Sequence, residues 1–120
     1  MLGALAACVA SATVIGCGST ADSRPPNWSY IYATIIQPSC ATASCHSAIA
    51  ARAGVVLEGR ETALNTLLSR NFVIKNDPGQ SELLFLLDPV AVRRMPPDFP
   101  LPPADVALIR QWITDGAMDN

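Results

Sequence analysis

Histidine is nearly absent from this chain: one residue, His46, among 120. A single imidazole leaves no partner histidine for acid–base work, and no other acid–base pair stands out. Charge is sparse as well. Asp, Glu, Lys and Arg make up 15% of the residues, the formal net charge is −2, and no basic run exists beyond Arg93-Arg94. Binding to nucleic acid needs a concentrated positive surface, so the composition argues against that partner. A chain so weakly charged meets its partners by shape or through a local patch. No tandem repeat and no alternating strand pattern is visible, and no apolar run reaches the length of a persuasive membrane span.

What stands at the start is a short, uncharged, small-residue stretch from Met1 to Gly16. Its length and composition are those of an export leader, although the basic flank expected before it is missing. Val14-Ile15-Gly16-Cys17 resembles the cleavage and lipidation box of bacterial lipoproteins, which predicts a signal peptide over 1–16 and a lipid on Cys17. An ordinary signal peptide cleaved nearby is the plainer alternative. Either reading places the protein outside the cytoplasm, on the periplasmic face of a bacterial membrane or soluble in the periplasm. Cys8 then leaves with the leader and Cys17 is acylated, so Cys40 and Cys45 are the remaining pair. About one hundred residues follow the leader, enough for one small domain.

Residues 17–27 read as a tether, stiffened by Pro25-Pro26. The domain is expected over 28–120. Trp28, Ile31, Tyr32 and Ile35 recur at helical spacing, and the helix they predict should end at Ile36-Gln37-Pro38. Ala63, Leu64, Leu67 and Leu68 give one face to a helix over Arg60–Ser69. Val73-Ile74-Lys75 reads as a short extended piece, and Asn76-Asp77-Pro78-Gly79 as a turn. A further apolar helix is predicted over Ser81–Leu87, stopped by Asp88-Pro89. The clearest helix is the last, with Val106, Ile109, Trp112 and Ile113 in a stripe, Pro103 in its first turn and Gly116 at its end. Four helices separated by turns predict a small all-α domain.

The chemistry concentrates in Cys40-Ala41-Thr42-Ala43-Ser44-Cys45-His46. An imidazole directly after the second of two thiols is the arrangement of a covalent c-type haem site, here with four spacer residues where C-x-x-C-H has two. Cys40 and Cys45 would form thioethers to the vinyl groups, and His46 would ligate iron from one side. The spacer residues are all small, so a bulge is sterically allowed. Zinc is the inorganic rival, but a tetrahedral site wants a fourth ligand and the usual second pair is absent. A Cys40–Cys45 disulfide in a non-haem lipoprotein interaction module also stays open. So does a haem sensor or peroxidase-like protein with a displaceable sixth ligand.

Met95 is the candidate for the second axial ligand, because its thioether is soft and neutral and favours reduced iron. Arg93-Arg94-Met95-Pro96-Pro97-Asp98-Phe99-Pro100-Leu101-Pro102-Pro103 cannot form a regular helix and should be a shape-holding loop. The plain alternative for Met95 is gap-filling in the core. Tyr30, Tyr32, Phe72, Phe85 and Phe99 are available to line a pocket. Arg93 and Arg94 either meet haem propionates or solvate the flank of the loop.

Taken together, Ile36 through His46, Asp77-Pro78-Gly79-Gln80-Ser81, Arg94-Met95-Pro96-Pro97 and Asp105 through Ile113 with Gly116 resemble exported bacterial class I cytochrome c-like domains. Some of these, especially lipoproteins of the myxobacterial type, share the C-x4-C-H spacing. The resemblance implies one covalent haem c, with Cys40 and Cys45 as attachments, His46 proximal and Met95 distal. It further implies crossed first and last helices. The function implied is one-electron transfer between donor and acceptor proteins of the cell envelope, with no substrate turned over and hence no enzyme. Membrane contact would run through the lipid anchor, with no mature transmembrane span.

Overall fold

A computed structural model describes residues 21–120. The expected signal peptide and the lipidation candidate Cys17 lie outside the described residues. Among those described, every regular element is helical and no strand occurs. The order is α1 (Trp28–Ile31), a π-helical turn (Tyr32–Ile36), α2 (Gln37–Ser39), a 3-10 turn (Arg52–Gly54), α3 (Arg60–Ser69), α4 (Glu82–Leu86) and α5 (Pro103–Thr114). The first three run on without interruption over 28–39, so with α3, α4 and α5 the described residues hold four helical segments besides the 3-10 turn.

Asn27 starts the first segment, its side chain accepting the Tyr30 N–H at 2.9 Å. The segment does not stop before Pro38, as the proline rule predicts; it continues to Ser39. The reason lies in the turn before it, where the Gln37 N–H reaches back five residues to Tyr32 O. A π turn is wound wider than an α turn, which relieves the crowding that a proline ring imposes on the preceding turn. Gln37 accordingly keeps helical angles, φ −59° and ψ −52°.

Trp28, Ile31, Ile35 and Ile36 face inward from this segment, and Leu108, Ile109, Trp112 and Ile113 from α5. The two faces meet at a stack of Trp28 on Trp112, with ring centroids 4.9 Å apart and 24° between planes. Both indole N–H groups are satisfied, Trp28 donating to Arg60 O at 3.0 Å and Trp112 to Met118 O at 2.9 Å. A buried indole without such a partner would lose much of what its area gains. Tyr32 adds a tilted ring 5.8 Å from Trp28 and accepts the Gly59 N–H on its hydroxyl.

α3 spans the residues that its apolar spacing predicts, with Ala63, Leu64 and Leu67 buried. Residues 73–75 are not a strand but an irregular connection. Ser81 holds it: its fully buried hydroxyl donates to Asp77 O at 2.8 Å and accepts from Ile74 N at 2.9 Å. Ser81 also precedes α4, shorter by a residue at each end than the apolar run. Gly116 ends α5 at φ +109°, where a side chain would be strained. Residues 22–27 run close to α5, where Arg24 bridges Asp22 and Asp105 at 2.7 and 2.6 Å.

Candidate functional site

The first helical segment delivers Cys40 from its C-terminal end, and the chain then turns back on itself. Cys45 N–H donates to Thr42 O at 3.0 Å and His46 N–H to Cys40 O at 3.1 Å. The four-residue spacer thus bulges as a closed loop that returns His46 beside Cys40. Arg52 ties the bulge down, its side chain donating to Ser44 O at 2.7 Å and its backbone N–H to Cys45 O at 3.1 Å. Buried Ser47 secures the far side, donating to Ala43 O and accepting from Ala50 N.

His46 is oriented by the segment after the 3-10 turn. Its Nδ1 lies 3.1 Å from Val55 O, and its carbonyl accepts the Leu57 N–H at 2.8 Å. A carbonyl oxygen can only accept, so Nδ1 carries the proton. In the neutral ring Nε2 then keeps its lone pair, the form in which imidazole binds a metal. Cys40 and Cys45 are free thiols. Burial, and secondarily the neighbouring Cys45, pushes the Cys40 thiol up to about 11. Hydrogen bonds from the Thr42 and Ser44 hydroxyls hold Cys45 below the usual thiol range, which favours its thiolate.

An apolar cleft of about 620 Å³, open mouth included, lies against this loop. Val55, Leu57, Leu67, Phe72, Leu83 and Leu87 form its walls, with Cys40, His46 and Met95 among its lining and Arg93 also contributing. A smaller cleft beside it shares Cys40, His46 and Met95 and is bordered by Cys45, Pro96 and Pro97. Residues 49 positions apart in the chain thereby meet at one place. Met95 is 38% exposed and is fixed through its backbone, whose N–H donates to Leu86 O at 2.7 Å.

Of the aromatic candidates, Phe72 lines the cleft, whereas Phe85 and Phe99 are 61% and 78% exposed and Tyr32 belongs to the core. The walls from Val55 and Leu57 carried no sequence signal beyond the flanking Gly54 and Gly59. Nor did the Val55 carbonyl, since any residue type supplies one. Among the described residues no group of three or more His, Cys, Asp or Glu side chains is placed to share a metal ion. None of the described helices is long and apolar enough to cross a membrane.

The donor set is two free thiols, an imidazole with its Nε2 available and a thioether, grouped on an apolar wall. It fits a covalently attached haem, which takes thioethers at its edge and nitrogen and sulfur ligands at iron. Comparison with known families agrees: residues 43–98 match a family described as planctomycete cytochrome C. The fold is cytochrome c-like. The matched stretch contains Cys45, His46 and Met95, while Cys40, the first helical segment and α5 lie outside it. No curated protein and no solved structure gives a match. At this level the comparison supports haem-based electron transfer, with redox proteins as partners.

Proposed function

We propose that this cytochrome c-like domain is an exported one-electron carrier, holding one haem c through Cys40 and Cys45 with His46 and Met95 as axial ligands. The observation that carries the reading is the meeting of Cys40, His46 and Met95 on one apolar cleft, with His46 Nδ1 engaged by Val55 O. Bound there, the haem supplies a ferric/ferrous couple. Val55 O holds the imidazole ring and raises its basicity as a ligand. Met95 offers a neutral sulfur that stabilises the reduced state relative to a second imidazole. Leu57, Leu67, Phe72, Leu83 and Leu87 exclude water, which limits reorganisation when charge changes by one unit. No general acid or base is needed, since no bond to a substrate is made or broken.

The test is exported expression in a host able to mature c-type cytochromes, followed by denaturing electrophoresis and haem-dependent peroxidase staining. A stained band is expected; a colourless band of unchanged mass in that host overturns the assignment. In the oxidised holoprotein, Met95→Ala should abolish the near-infrared sulfur-to-iron band, and persistence of that band would remove Met95 from the ligand set.

The same reading places a lipid on Cys17, confining the carrier to a membrane surface. Metabolic labelling with palmitate should be lost completely in Cys17→Ser. Absence of label from both proteins would leave simple secretion, and equal labelling of both would remove Cys17 as the lipid site.

A further inference from the structure

The loop that bears Met95 is short of its own hydrogen-bond donors. Pro89, Pro96 and Pro97 have no N–H, so this stretch cannot tie itself together through its backbone as a turn of mixed sequence would. Their carbonyls still need partners. Arg94 supplies them from one side chain: Nη1 donates to Pro89 O at 3.1 Å, Nε to Pro96 O at 3.2 Å and Nη2 to Pro97 O at 2.7 Å. The guanidinium therefore spans from the start of the loop to the residues on the far side of Met95. Its planar fork of five donors suits several acceptors at once, which a lysine ammonium does not reproduce. The remaining closure is sparse: Met95 N–H to Leu86 O, Arg94 N–H to Ala91 O, and Asp88 bonded to Val90 and Ala91.

Resting on the haem reading above, we propose that Arg94 is the positioning residue for the Met95 sulfur. By clasping the three proline carbonyls it keeps the sixth position closed, and so decides between an electron carrier and a ligand-binding haem protein. The chain itself contains both possibilities. With the clasp intact, Met95 stays on the cleft and an outside ligand must displace it; with the clasp broken, the loop opens at small cost and the site admits small nitrogen ligands. Arg94 acts through the backbone and does not touch the iron.

Two measurements test this on the full chain. The first is imidazole titration of the ferric holoprotein, followed by loss of the near-infrared sulfur-to-iron band. Arg94→Gln is expected to raise the apparent imidazole affinity roughly ten- to a hundredfold, the effect of losing charge-assisted bonds that stabilise the closed loop. Covalent haem and far-ultraviolet circular dichroism should match the parent. Arg94→Lys keeps the charge without the fork, and is expected to behave like the glutamine variant. Parental imidazole affinity in Arg94→Gln overturns the proposal. Parental affinity in Arg94→Lys also does so, because charge alone would then suffice.

The second measurement needs no haem. Amide hydrogen exchange over residues 90–95 should speed up in both variants, with exchange in α5 unchanged. Parental exchange rates in that loop overturn the clasp even if the protein proves colourless. A colourless parent with faster loop exchange in the variants instead rejects the haem reading while leaving Arg94 as the loop's tie.

Discussion

His46→Ala is expected to eliminate imidazole ligation completely, and with it the low-spin spectrum of the oxidised holoprotein. No other histidine exists in the chain to take its place. The Val55 carbonyl engages Nδ1, which leaves Nε2 as the ring nitrogen free to ligate, and His46 lines the cleft. Haem that still attaches through Cys40 and Cys45 should be high-spin, with Met95 as its only ligand from this chain. The cavity left by the ring sits beside Cys40, so free imidazole added at millimolar concentration should enter it and restore a low-spin spectrum. Rescue separates a lost ligand from a lost fold. A variant whose spectrum equals that of the parent without added imidazole would show that iron is held elsewhere.

Trp112→Ala is expected to be the most destabilising single change in the domain. Its side chain is 1% exposed and stacks on fully buried Trp28, so truncation opens a large cavity between α1 and α5. Loss of a buried tryptophan costs about 3–5 kcal/mol, against a total stability of about 5–15 kcal/mol for a typical domain. The Met118 carbonyl also loses its indole donor. For a domain of this size the melting temperature should fall by roughly 15–30 °C. Trp112→Phe keeps an aromatic against Trp28 but no N–H, and should cost less, about 1–3 kcal/mol. Thermal denaturation followed by circular dichroism decides: an alanine variant melting within a few degrees of the parent would contradict the stacked core.

Much of this arrangement can be read along the chain. Arg60–Ser69 and the helix begun by Pro103 show their faces in the order of their residues, because apolar side chains three and four apart commit a helix to one buried side. The loop after Leu86 is legible for the opposite reason, its prolines forbidding any regular element. Cys40, Cys45 and His46 announce themselves by chemistry rather than by pattern. Pro38 misled, since a rule about one residue cannot see the π turn that makes room for it.

Composition and order along the chain were enough to determine the small all-α class and the helical faces, and to single out the thiols, imidazole and thioether proposed to hold haem. Only the folded chain decided that Met95 shares a cleft with Cys40 and His46, that Val55 O accepts a hydrogen bond from His46 Nδ1 and that Arg94 gathers three proline carbonyls. The physical reason is the same in each case. Side-chain identity sets what a residue can bond to, whereas a backbone carbonyl is common to all residues and acquires a role only when folding brings a donor to it.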